Sequence, residues 1–208
     1  MPGKIFTNLF RRKSPAPFRE NDVFRGAPQW NDKNACVGNN GGQYDLYDYS
    51  EGYFSAAKGL LEIALSPPDP ARAWRFHIDT LVYPICLTFR HAIELYLKYL
   101  ITALAKDVGS RKIFKNSHSL SENWAIARSL IEGSRLDATD AELSTFDTLV
   151  KCIDEVDPKG ETFRYPESIK KDQHLKDWSL INLRCLKLYL DVAENAASRW
   201  QRLIYNWA

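Results

Sequence analysis

An all-α bundle of about five helices behind an irregular N-terminal arm is the fold class that this sequence of 208 residues predicts. Three observations lead there. From Tyr44 onward apolar residues recur at helical spacing, without the sustained alternation of a half-buried strand. Along the same stretch, polar helix-start residues are repeatedly followed three places later by an acidic one, the signature of a capping box. Before Tyr44 neither period holds: residues 1–43 carry Pro15, Pro17 and Pro28 and then GNNGG at 38–42, which suits an arm better than a packed element. The bundle is therefore assigned to 44–208. Phe18, Phe24 and Trp30 are the candidates for tying the arm down, because aromatic rings are costly to leave in water.

In DYSEGYFSAAKGLLEIAL, Asp48 reads as an N-cap with Glu51 three residues on, and Phe54, Ala57, Leu60, Leu61 and Ala64 follow on one face. SPPDP at 66–70 ends that helix. Pro84 either opens a helix in its first turn or kinks one; the reading adopted is a short helix before it and a long one over about 84–106, stopped near Gly109. Ser119 and Glu122 predict a capping box ahead of Trp124, Ala127, Leu130 and Ile131, with Gly133 as the stop. Thr139 and Glu142 repeat the signal and place Phe146, Leu149, Val150 and Ile153 on one face. After a break at DPKGETFRYPES, a last long helix over about 175–207 carries Leu180, Leu183, Leu186, Leu190 and Val192. Trp124, Trp178 and Trp200 fall at packing positions.

The charge balance, 28 basic against 26 acidic residues, advertises no polyanion partner overall, so any nucleic-acid binding must be local. Cys36, Cys86, Cys152 and Cys185 stand far apart without CxxC or zinc-ligand spacing; they read as reduced and mostly buried, which favours the cytoplasm. The apolar run in MPGKIFTNLFRRKSPAP is too short for a signal peptide, and no stretch approaches the roughly 20 apolar residues of a membrane span. KIFTNLFRRK reads as a tail, with a small basic amphipathic helix as the alternative. GxxxxGK[ST], GxGxxG after a strand, HExxH and GxSxG are all missing. The carboxylate pairs Asp154/Asp157 and Asp137/Asp140 sit where acidic residues are ordinary, at helix ends and turns, so neither a metal nor a cofactor is expected.

FRHAIELYLK, residues 89–98, sets Arg90, His91, Glu94 and Lys98 in an otherwise apolar run. Arg90, Glu94 and Lys98 are successive i, i+4 neighbours with His91 beside them, so the four share one stripe of a helix that is apolar on its other sides. Glu94 can bridge Arg90 and Lys98. Two readings stay open: an ion ladder on the helix's only wet face, or a cleft of cationic bias suited to a phosphate or an RNA backbone. His118, at the mouth of a helix N-terminus, and Arg164 and Tyr165, on a loop, are the groups that would converge on such a cleft. Their plainer roles are a polar cap residue for His118 and, for Arg164, a tie to Asp157 or to helix carbonyls.

The order YPICLTFRHAIELYLKYLI, then HSLSENW, then EVDPKGETFRYP resembles a group of bacterial proteins in the HEPN superfamily, the higher-eukaryote and prokaryote nucleotide-binding helical domains. The likeness covers roughly residues 44–192. It implies an up-and-down helical bundle that commonly dimerises, found in toxins, phage-defence proteins and non-catalytic relatives. Many catalytic members are metal-independent ribonucleases with an Arg, four to six residues, and then a His, in which a cation stabilises the phosphorane and an imidazole moves the 2′-hydroxyl proton. That spacing occurs here at Arg72/His77 and Arg111/His118 and not in the last helix. The resulting expectation is a protein acting on RNA or nucleotides, in its catalytic form a metal-independent endoribonuclease, with Arg90, His91, Glu94 and His118 as the catalytic set and Lys98, Arg164 and Tyr165 binding substrate. The alternative is a non-enzymatic helical module that binds a protein partner or a second copy of itself.

Overall fold

Helix α1 spans Leu46–Leu65, starting ahead of the predicted cap. Asp45, not Asp48, is its N-cap: the Asp45 carboxylate accepts the backbone N–H groups of Tyr47 and Asp48, and the Asp48 side chain accepts the N–H of Asp45 in return. This box satisfies more orphan donors and draws Tyr47 into the helix, where its ring meets Tyr96 and Tyr99. The computed structural model describes residues 23–38, 40, 42–66 and 76–207. Residues 4–13, Phe18, Pro67–Pro70 and Arg72 lie outside these, as do the side chains of Trp30 and His77.

Helix α2 spans Phe76–Asp107 as one element with Pro84 inside it, where a break had been predicted. Proline removes one donor from the ladder, but the apolar stripe runs past it without interruption: Leu81 and Val82 pack against the core before it, and Ile85 and Phe89 are buried after it. The stop is a Schellman turn. Gly109 adopts φ +63°, the Ser110 N–H reaches the Ala105 carbonyl at 2.8 Å and the Gly109 N–H that of Lys106 at 3.4 Å.

Helix α3 spans Leu120–Ile131 and α4 spans Asp140–Val156. Thr139 and Glu142 form the complete predicted box on α4. On α3 only half of it exists: Ser119 accepts the Glu122 N–H, whereas the Glu122 carboxylate takes the hydroxyl of Ser117. Helix α5 spans Leu183–Tyr205 behind the cap Asn182, so the predicted start near 175 is corrected. Leu175 adopts φ +56°, which no α-helix tolerates, and Leu180 lies outside the helix, 90 % exposed. Trp178 and Val192 are likewise exposed, not packed.

The helices of residues 44–207 form an all-α bundle in which α2 packs against α1, α3 and α5. α3 also packs on α4, and α5 on both α1 and α4. At the centre Tyr96, Trp124, Phe146 and Trp200 stack, with Phe146 5.0 Å from Trp200 and 5.2 Å from Trp124. Polar tips of the rings find partners: the Trp200 indole donates to Glu142 at 3.1 Å, that of Trp124 to Asp147 at 2.6 Å, and the Tyr96 hydroxyl to the Ala197 carbonyl at 3.2 Å.

The chain divides into two units between Gln43 and Tyr44. Of the first unit only 23–38, 40, 42 and 43 are described. Its described part holds a 3-10 turn, Pro28–Lys33, clasped by reciprocal hydrogen bonds between Ala27 and Asn34, and Phe24 is exposed. All four cysteines are free, and only Cys86 is buried; Cys36, Cys152 and Cys185 are exposed, against expectation. Among the described residues no helix is long and apolar enough to cross a membrane.

Candidate functional site

Helical periodicity puts Arg90, Glu94 and Lys98 on one line of α2, and tertiary packing then treats them unequally. Arg90 is 3 % exposed and Glu94 2 %, so burial demands partners for both. The Arg90 guanidinium donates to three different groups: Nε to the Asp157 carbonyl at 3.1 Å, Nη1 to Glu94 Oε2 at 3.0 Å, and Nη2 to the His118 carbonyl at 2.6 Å. Its Nε also lies 3.2 Å from Asp157 Oδ2, making an ion pair. Asp157, the C-cap of α4, is fully buried, and its Oδ1 accepts the N–H groups of Glu161 and Thr162. Arg90 thus fastens the end of α4 and the residue before the α3 cap onto α2. The place expected for it in the catalytic set of an open cleft does not fit this burial: its donors are committed inside the fold. Asp157 pairs with Arg90 and not with Arg164.

Gly160 is pressed against this guanidinium. Its φ is +73°, and an added Cβ would sit 2.9 Å from Arg90 Nη1. Gly160→Ala combines left-handed strain with this clash and is expected to lower unfolding free energy by about 1–3 kcal/mol. The urea midpoint measures it, and an unmoved midpoint would mean that the loop gives way freely.

Glu94 holds the polar end of the network. Its Oε1 accepts Lys98 Nζ at 2.8 Å and His118 Nδ1 at 3.1 Å. Burial works to raise the Glu94 pKa, but the Lys98 hydrogen bond and the charges of Lys98, His118 and Arg90 outweigh it and hold the carboxyl below its ordinary value. An ionised carboxylate can only accept, so Nδ1 of His118 carries a hydrogen, and in the neutral ring Nε2 is then the nitrogen with a lone pair. The His118 side chain is 52 % exposed, and its Nε2 makes no hydrogen bond among the described residues. Lys98, 14 % exposed, closes the other side and sits 5.8 Å over the ring of Phe114.

His91 feels the charges of this cluster without a hydrogen bond from its Nδ1. Its ring meets Tyr53 edge-on at 4.5 Å, and Nδ1 is buried without a partner. Burial foremost, with the charges of Arg164, Lys98 and Arg90 adding and Glu94 opposing, pushes its pKa down. No hydrogen bond joins His91 to Glu94 or His118 among the described residues. At the start of α3 the carboxylate of Asp154 accepts both the backbone N–H and the hydroxyl of Ser121, where an anion would otherwise sit.

Arg164 and Tyr165 are exposed on the long connection 157–182, where they line a cavity of about 270 Å³. Tyr83, Gln173 and His174 complete its wall, and no local sequence signal marked Tyr83 or Gln173, since they meet only across the fold. A second, apolar cavity of about 360 Å³ opens between α2, α4 and α5, lined by Cys86, Phe89, Ile153, Trp178 and Leu186 among others.

Compared with family models, with curated proteins and with solved structures, the chain finds no match.

Proposed function

We propose that the protein cleaves or processes RNA by metal-independent acid–base chemistry centred on His118. One observation carries this reading: a half-exposed imidazole bonded through Nδ1 to a buried, ionised carboxylate. Glu94 fixes the tautomer and stabilises the imidazolium as it forms, leaving Nε2 to accept the proton of a ribose 2′-hydroxyl. The 2′-oxygen then attacks the adjacent phosphorus, and the bond from phosphorus to the 5′-oxygen breaks. The departing 5′-oxygen takes a proton from water, and the His118 imidazolium gives its own proton back to solvent, leaving a 2′,3′-cyclic phosphate and a 5′-hydroxyl. Lys98 supplies positive charge beside the imidazole, and Arg164 does so on the neighbouring loop. The HEPN resemblance supports the same class of reaction, in a phage-defence or toxin–antitoxin setting.

Purified protein incubated with a mixed RNA pool in chelator is expected to yield cyclic-phosphate ends. His118→Ala should cut the rate by about 10²–10⁴-fold, the usual worth of a general acid or base. Equal cleavage by both proteins would sink the mechanism.

The second reading is a protein-binding module, and it rests on a different surface. Leu188, Tyr189 and Val192 lie exposed on the outer face of α5, with Trp178 and Leu180 exposed ahead of it, next to the apolar cavity. If that face joins two copies, sedimentation velocity will find a dimer that Leu188→Glu with Val192→Glu turns into a monomer. A parent monomeric at high concentration would leave self-association without support.

A further inference from the structure

We propose that the cavity beneath the 166–174 turn is a subsite for one unpaired base and its phosphate, and that Gln173 reads the base. The inference rests on the RNA reading above and adds to it a place where sequence preference would arise.

The cavity is built rather than incidental. Its turn is pinned by the bridge between Glu167 and Gln173, by the His174 N–H on the Pro166 carbonyl at 3.0 Å, and by the Ser168 N–H on the Asp172 carbonyl at 2.9 Å. Lys171 adopts φ +68° to close it. Despite this order, three polar side chains of the wall, Arg164, Gln173 and His174, are left without hydrogen-bond partners among the described residues. Nε2 of His174 is buried and unbonded, an arrangement that costs free energy unless something else completes it. Neither the Arg164 guanidinium nor the Gln173 amide makes a hydrogen bond or ion pair among the described residues.

The mixture of groups selects the ligand. Arg164 offers a planar fork to a phosphate. Tyr83 and Tyr165, 46 % and 61 % exposed, line the cavity with aromatic rings, the side chains on which bases stack. Gln173 has both a donor and an acceptor on one amide, the equipment needed to read a base edge, and His174 Nε2 adds one more polar contact. A bare anion would use Arg164 and leave both rings idle, and an apolar ligand would strand the guanidinium. The subsite is also tied to the proposed reaction centre. Thr162 lines it, the Thr162 N–H is held by Asp157, and Asp157 is paired with Arg90, whose Nη2 grips the His118 carbonyl.

The test uses the full chain and fluorescein-labelled decamers of a single base, A, C or U, made with 2′-fluoro sugars that cannot undergo 2′-hydroxyl attack. Fluorescence anisotropy at fixed salt gives Kd for each. The parent is expected to prefer one base about ten-fold, within the range of a good side-chain pair to a base edge. Gln173→Ala should erase that preference. Tyr165→Ala should weaken the preferred decamer about ten-fold, and Arg164→Ala should weaken all three alike. All three side chains are exposed, so circular dichroism should remain that of the parent. Decamers bound within two-fold of one another, with the three substitutions silent, would overturn the subsite while RNA cleavage by the parent still stood. No binding of any decamer together with no cleavage of the RNA pool would remove both proposals.

Discussion

Arg90→Ala is expected to cost the bundle about 3–5 kcal/mol, the usual penalty for removing one partner of a buried ion pair. The substitution strands two carboxylates together, since Glu94 is 2 % exposed and Asp157 fully buried, and it also deprives the His118 and Asp157 carbonyls of a donor. Arg90→Lys should recover little of the loss. An ammonium keeps the charge but cannot spread three directed bonds over Glu94, Asp157 and His118 from one rigid plane. Urea unfolding followed by circular dichroism measures both variants. A loss below about 1 kcal/mol, the level of an exposed pair, would show that water reaches these carboxylates. The result also governs how activity is interpreted: a weakened Arg90 variant that fails to cleave RNA has lost the support of His118, and says nothing of phosphate binding.

Trp200→Ala should be of similar size, about 3–5 kcal/mol, because a large aromatic leaves a cavity that its neighbours fill only in part. Trp200 is fully buried, stacks on Phe146 at 5.0 Å and against Trp124 at 6.5 Å and lies 6.4 Å from Tyr96, so four helices share the void. Its indole N–H also bonds Glu142, the residue that closes the α4 capping box and pairs with Arg199 at 2.8 Å. Trp200→Phe separates the contributions, since it retains a ring and removes the donor. Loss of the hydrogen bond alone is worth about 0.5–1.5 kcal/mol, so the phenylalanine variant should fall well short of the alanine one. If the two were equal in urea midpoint, packing would not be what Trp200 provides.

How far local pattern reaches can be seen helix by helix. The α4 box of Thr139 and Glu142 was legible because both partners lie within one turn and their geometry belongs to the backbone. The start of α5 was not. Leu180 and Val192 match the helical period, yet the left-handed turn at Leu175 and the cap at Asn182 delay the helix to Leu183. Pro84 misled for the opposite reason, since packing on both sides of it carries α2 through. In the candidate site, the i, i+4 line of Arg90, Glu94 and Lys98 could be read directly. The grip of Arg90 on Asp157, 67 residues away, could not.

Sequence alone therefore determined the helical class, the starts of α3 and α4 and the alignment of charges along α2, because each depends on groups within a few residues of one another. Tertiary structure decided which of those charges meets water. Arg90 and Glu94 are sealed by the ends of α3 and α4, whereas His118, which looked like a cap residue, keeps half its side chain in solvent against a buried carboxylate. Burial is a property of the packed whole, and it is burial that separates an internal clamp from a reactive imidazole.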